Sequence, residues 1–317
     1  MSLRKNNRIK GFAMVLGAAM LWGFTGTVAQ HLLHDRQVDP GWLVTVRLLV
    51  SGILLLLFIS LRGEGAQVRA VWKTPRDRWE LLLLGVVGMM GVQYTFFAAI
   101  DTGNAATATL LQYLGPVLLT GWVALSMRRM PESREWAAVG FALTGTFFLV
   151  TGGSGSSLSI SPAALIWGLL SAVTLAFYTV YPARLLKRWG SAPVVGWAML
   201  IGGVALAFFC PPWAAPWSVW SVETILLILL VVVFGTLVPF FLYLDSLRFL
   251  LPSETGLLSC AEPLTAAVLA VWWLGVPFGP GEWLGALLIM GTVILLSIGG
   301  QRERVPAKSG SKPAGGF

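Results

Sequence analysis

Arg47 and Glu262 stand in apolar surroundings where charge is costly, and they are the residues of this chain best placed to do chemistry. An ionisable side chain at bilayer depth costs roughly 2.5–3.5 kcal/mol on insertion scales, so one that persists there is a candidate for function. Arg47 carries a planar fork that suits a carboxylate. Its structural alternative is to snorkel outward or to pair with carbonyls of a neighbouring helix. Glu262 directly precedes Pro263, and a proline frees a backbone carbonyl and bends a helix. A carboxyl group at that point can take a proton or meet a substrate ammonium, which makes Glu262 the proton-coupling candidate. The competing reading is a brace of the proline kink. Uncharged polar and aromatic residues accompany the pair: Trp22, Thr25, Gln30, Gln93, Tyr94, Gln112, Tyr113, Tyr178, Tyr181 and Tyr243. Of these, Trp22, Tyr94, Gln112, Tyr178 and Tyr243 join Glu262 and Arg47 in the expected substrate-binding cavity. Aromatic walls with a few amides suit a small amphipathic solute. Trp213, Trp217, Trp220 and Trp283 fit an interfacial belt instead.

Other chemistries find less support. Gly152-Gly153-Ser154-Gly155 places a serine in a Gly/Ser linker, but a serine nucleophile needs a base. The two histidines, His31 and His34, lie far away at the end of the first apolar run. No catalytic residue is expected, and the chain reads as a non-enzyme. His31 and His34 lack an acid or cysteine to complete a metal site, and Cys210 and Cys260 match no metal or redox spacing. No Walker-type glycine loop is present. Neither metal nor cofactor is expected, and any drive must come from the substrate gradient, protons or exchange. Asp101 reads as a cap of the fourth helix, and Asp245 and Glu254 as surface partners of Arg248.

The elements that must position these residues follow from composition. The 317 residues are 56% hydrophobic and 11% charged, with a mean hydropathy of +0.77. A soluble domain carries roughly a quarter charged residues, whereas a lipid-embedded chain keeps charge in its loops. The lipid bilayer is therefore the first partner. The net charge of +8 is spread over short loops and not over one face, so no nucleic-acid partner is expected. Apolar runs long enough to cross a bilayer fall near 11–33, 42–61, 80–100, 104–127, 135–151, 162–184, 193–210, 221–244, 254–275 and 282–300. The first is too long for a signal-peptide core and reads as an anchor. With the N-terminus inside, 20 of the 22 Lys and Arg fall in alternate loops, leaving only Arg36 outside and Arg47 within a helix. That alternation predicts ten helices with both termini cytoplasmic.

A shift of 147 residues superposes Leu110, Leu111 and Pro116 on Leu257, Leu258 and Pro263, and Glu135-Trp136 on Glu282-Trp283. An odd number of helices per copy makes the copies enter the membrane from opposite sides, and inverted halves are a common ground plan of secondary transporters. The fold class is thus all-α membrane protein, two inverted five-helix repeats. The organisation reads as a cytoplasmic N-terminus (1–10), a first repeat (11–152), an extracytoplasmic linker (153–161), a second repeat (162–300) and a disordered cytoplasmic tail (301–317).

Leu21-Trp22-Gly23, Arg47, the stretch from Tyr94 to Asp101, Ala105 to Pro116, Ala261-Glu262-Pro263, Glu282-Trp283-Leu284-Gly285 and Gly291, in that order, resemble the EamA-type members of the drug/metabolite transporter superfamily. The resemblance covers nearly the whole chain. It implies a ten-helix basket whose central cavity is lined mainly by helices one, three, four, six, eight and nine. It also implies transport of small organic solutes, often export of amino acids or related metabolites, across the inner membrane. Many relatives place a Gly-Glu pair at the ends of the fourth and ninth helices; here those stretches read Ser126-Met127-Arg128 and Leu274-Gly275-Val276. The first helix also lacks the membrane glutamate of the small multidrug resistance relatives, which weighs against cationic-drug antiport. The expected function is alternating-access transport, as an exporter, of a small metabolite such as an amino acid or related compound, with protons as one candidate drive beside the substrate gradient and exchange, and a monomer or dimer as the unit. The rival readings are proton-coupled multidrug or amine efflux, and a channel or structural membrane protein.

Overall fold

The computed structural model describes residues 2–126, 130, 132–153, 159–214, 220–246, 249–250, 255 and 258–299. Ser154, Trp217, Arg248, Glu254, the Met127-Arg128 pair and the expected tail lie outside the described residues. All described elements are helical, and no strand occurs among them. The helices are α1 (Ser2–His34), α2 (Pro40–Ile59), α3 (Gly65–Ala70), α4 (Pro75–Leu83), α5 (Gly91–Thr102), α6 (Ala105–Gln112), α7 (Gly115–Ser126), α8 (Ser133–Thr151), α9 (Pro162–Val180), α10 (Ala183–Trp189), α11 (Ser191–Ala207), α12 (Val222–Val232), α13 (Val238–Ser246), α14 (Ala261–Trp272) and α15 (Pro280–Gly299). Among the described residues five helical stretches are long and apolar enough to cross a membrane: Arg8–His34, Pro40–Ala70, Pro75–Thr102, Pro162–Val180 and Val222–Phe240.

The packing repeats with the 147-residue shift seen in the sequence. That shift carries α2 onto α11 and α8 onto α15, and each of these helices lies along its own copy. It also carries α1 onto α9, α5 onto α13 and α7 onto α14. Accordingly α1 packs on α13 and α14, while α9 packs on α5 and α7. Small residues let these backbones meet. A Cβ at Gly52 of α2 would lie 2.8 Å from Leu200 N of α11, and one at Gly285 of α15 would lie 2.6 Å from Gly145 O of α8.

The helical breaks repeat as well. A π-helical turn, Leu84–Met90, joins α4 to α5, and another, Val233–Leu237, joins α12 to α13; shifted, the first would fall on 231–237. The Glu-Trp motif has one structural role in both copies. Glu135 accepts the backbone N–H of Glu132 at 2.8 Å, and Glu282 accepts that of Gly279 at 3.0 Å. Each carboxylate thereby satisfies a donor at the start of its helix and favours that end of the dipole.

Two sequence expectations need correction. The run 104–127 is not one helix but two, α6 and α7, separated at Tyr113 and Leu114. Asp101 does not cap it: Asn104 does, through Oδ1 accepting from Thr107 N at 2.8 Å.

Where α4 begins, an ion cluster ties it to α10. Asp77 is fully buried and accepts from Arg184, from Arg188 Nη1 at 3.0 Å and from Trp189 Nε1 at 3.0 Å. Glu80 accepts from Arg184 Nε at 2.9 Å and from Arg76 Nε at 3.1 Å. At the other end of the molecule Arg36 meets Glu223 at 2.5 Å, one position before the shifted equivalents of Arg184 and Asp77. A buried carboxylate stripped of a partner is destabilising. Arg184→Ala should therefore lower the thermal midpoint of the detergent-solubilised protein by several degrees, whereas Arg36→Ala, at a pair open to solvent, should barely move it.

Candidate functional site

The site grows from three prolines. Proline has no N–H and so leaves the carbonyl four residues earlier without its helical partner. Pro263 does this to Ser259, whose carbonyl keeps only the N–H of Glu262 at 2.9 Å, Pro239 to Gly235 and Pro116 to Gln112, and the first two carbonyls find partners from other helices. Tyr113, at the break between α6 and α7, sets its hydroxyl 2.6 Å from Ser259 O and 3.1 Å from Glu262 Oε2. Arg47 donates through Nη2 to Gly235 O at 2.8 Å and through Nε to Thr236 Oγ1 at 2.7 Å, inside the π-helical turn that joins α12 to α13. Single π-helical turns often mark functional sites, because they expose backbone groups that a regular helix hides. The Arg47 guanidinium also lies 5.1 Å from the centroid of the Phe97 ring.

These groups surround one cavity of about 570 Å³. Its walls include Trp22, Thr25, Arg47, Gln93, Gln112, Tyr113, Tyr178, Tyr243, Ser259 and Glu262, with Phe96, Phe97 and Phe240. Trp22 holds Phe240 edge-on at 5.6 Å and Tyr243 at 5.7 Å. Gln112 donates through Nε2 to Ser171 Oγ at 2.7 Å, tying the break to α9. Of the lining residues, Glu262 is the carboxylate and Arg47 the guanidinium; all others are neutral. Glu262 stands in the first turn of α14.

Six of the seven residues chosen from sequence, Trp22, Arg47, Gln112, Tyr178, Tyr243 and Glu262, are brought together around this cavity. Tyr94 is a correction: it lies outside the lining and packs edge-on against Trp167 at 5.7 Å. It sits one residue beyond the lining residue Gln93, and a single step of about 100° along a helix turns a side chain off the face. Ser259 and Phe97 were missed. The signal for Ser259 was present, since it lies four residues before Pro263 as Gln112 lies four before Pro116.

The lining comes from α1, α2, α5, α7, α13, the later parts of α9 and α15, the last residue of α6 and the first turn of α14. At the opposite end, Gln30 Oε1 accepts the buried N–H of Ala105 at 2.8 Å, and His34 Nε2 lies 2.9 Å from Asp101 O. His31 pairs with Asp35 at 2.6 Å. No group of three or more metal-ligating side chains occurs among the described residues. Arg47→Lys keeps the charge but cannot span both acceptors. It should cost about 1.5–3 kcal/mol of stability, the range for hydrogen bonds to charged groups, as measured by denaturation in detergent.

The EamA-like transporter family matches residues 9–151 and again 162–298. The uncharacterized inner membrane transporter YicL of Salmonella typhimurium is 41% identical over 93% of this chain and 97% of its own length. The uncharacterized transporter YwfM of Bacillus subtilis is 27% identical over 92% of this chain and 94% of its own. The threonine/homoserine exporter RhtA of Escherichia coli is 29% identical over 82% of this chain and 81% of its own. A solved crystal structure with 21% identity shares the fold, with a TM-score of 0.58 over 90% of this chain and 99% of that one.

Proposed function

The chain belongs to the EamA-like transporter family, and from that premise we propose that it is a secondary transporter that exports an amino acid or a closely related metabolite across the bacterial inner membrane. In this reading ten membrane helices form two inverted five-helix repeats, 11–152 and 162–300, with both termini in the cytoplasm. The observation that carries the reading is the cavity at the meeting of the two repeats, with one carboxylate and one guanidinium in otherwise aromatic and neutral walls. Such a pair complements an α-ammonium and an α-carboxylate, and the aromatic walls accept a side chain. Near-equivalent packing of the two copies gives outward-closed and inward-closed arrangements of similar energy, which is what alternating access needs. Transport by the relatives, and the amino-acid substrates named for RhtA, support the same direction.

A second reading, proton-coupled efflux of an organic amine, draws on Glu262 as the acid of the cavity while Arg47 is held by Gly235 and Thr236. Uptake and efflux of a labelled panel of amino acids and amines in proteoliposomes, with and without a pH gradient, separates the two. Movement of amino acids supports the first, movement of amines alone supports the second, and movement of neither sinks both.

A further inference from the structure

We propose that Tyr113 reads the protonation state of Glu262 and passes it across the interface between the two repeats by switching its single hydroxyl proton between Glu262 and the Ser259 carbonyl. The inference rests on Glu262 taking up a proton in the reading above. Its basis is a count of donors. The Tyr113 hydroxyl lies within hydrogen-bond distance of two oxygens, Ser259 O at 2.6 Å and Glu262 Oε2 at 3.1 Å, yet it owns one proton. An ionised Glu262 is an acceptor only, so both neighbours compete for that proton, and the charge-assisted bond is the stronger. Ser259 O, which Pro263 has deprived of its i+4 donor, then keeps only the backbone N–H of Glu262 at 2.9 Å.

When a proton arrives from solution on Glu262 Oε2, the roles reverse. The carboxylic acid donates to the Tyr113 oxygen, and the Tyr113 O–H turns fully to Ser259 O. Every polar atom of the trio is now satisfied. One proton has been gained, the site loses one negative charge, and no other bond is made or broken. The consequence is mechanical. Tyr113 belongs to the break between α6 and α7 in the first repeat, whereas Ser259 and Glu262 flank the start of α14 in the second. Protonation therefore fastens the break between α6 and α7 to the start of α14 through Tyr113 and Ser259, and deprotonation weakens that bond.

The other titratable groups around Glu262 are Arg47 on α2, Tyr243 on α13 and Cys260 on its own segment. The helix α6, which also packs on α14, contains no titratable residue, and α1 carries its basic residues only towards its ends. Arg47 is committed to Gly235 and Thr236, so Tyr113 is the one hydrogen-bond partner of the Glu262 carboxyl group among the described residues.

The test needs no transported solute. Infrared difference spectra between acid and alkaline buffer are recorded on the full chain in lipid, with ring-deuterated tyrosine marking the five tyrosines. The expected wild-type spectrum contains a protonated-carboxyl band that Glu262→Gln removes and, in the same pH step, a tyrosine C–O–H band change that both Tyr113→Phe and Glu262→Gln remove. In Tyr113→Phe the carboxyl band persists but moves to higher frequency, because the acid has lost its acceptor. A carboxyl band that titrates with no accompanying Tyr113 change makes Tyr113 a fixed brace and overturns the inference while leaving Glu262 as a proton site. Absence of any Glu262 band overturns both. If Tyr113→Phe does not fold, carbonyl-¹³C serine in the wild type reads the Ser259 carbonyl directly, and an amide band indifferent to the Glu262 step overturns the inference in the same way.

Discussion

Glu262→Gln is expected to remove the pH-driven part of transport and to leave solute exchange at zero pH gradient in place. The physical reason is that glutamine preserves the shape of the side chain and can bond with Tyr113, but it can neither take up nor release a proton. The comparison to make is flux in proteoliposomes with and without an imposed pH gradient, for wild type and variant. Gradient-driven accumulation should fall by at least about tenfold, the equivalent of about 1.4 kcal/mol, while counterflow persists. Unchanged accumulation in the variant would show that Glu262 braces the Pro263 bend and that the protein is a facilitator or exchanger. Loss of both activities together would instead assign Glu262 to solute binding. The split is informative because Glu262 is the carboxylate that faces the cavity.

A second large effect is expected at Gly23, one residue beyond Trp22. A Cβ there would lie 2.5 Å from Glu262 O, 2.9 Å from Thr265 Cβ and 3.0 Å from Ala266 N. Two of these are backbone atoms of α14, which no rotamer change can move aside. Gly23→Val must therefore push α1 away from the turn that carries Glu262, and Trp22 goes with it. Overpacking of this kind costs about 1–3 kcal/mol and occasionally more, so flux should fall at least about fivefold. Gly140 of α8 is a suitable control, because a Cβ there has nothing within 4 Å. Gly140→Val should transport like the wild type with a similar thermal midpoint. Normal flux in Gly23→Val would mean that the approach of α1 to α14 is not needed in the working cycle.

Charge, apolar run length and repetition are legible without coordinates because each acts through the solvent. Lipid accepts no exposed backbone and little charge, so long apolar stretches had to be helices and the basic residues had to leave them. The 147-residue repeat was readable for a similar reason: Pro116 and Pro263 act on the chain locally, as do Glu135 and Glu282 at their helix starts. By that route the sequence of this protein determined an all-helical membrane chain of two copies, and it marked Glu262, Arg47 and most of the polar residues in the cavity wall.

Only the tertiary structure decided where the freed backbone groups find partners. Nothing along the chain says that the carbonyl released by Pro239 belongs to Arg47, nearly 190 residues earlier, or that Ser259 answers to Tyr113. Tyr94 shows the same limit from the other side. A tyrosine beside a lining glutamine looks equally suited to the cavity until the helix rotation, fixed by packing against Trp167, turns it away. Apolar run length likewise could not reveal that the 104–127 stretch is two helices, because a break at membrane depth changes no composition. It becomes tolerable only where side chains from another helix satisfy the exposed groups, and those partners come from the fold.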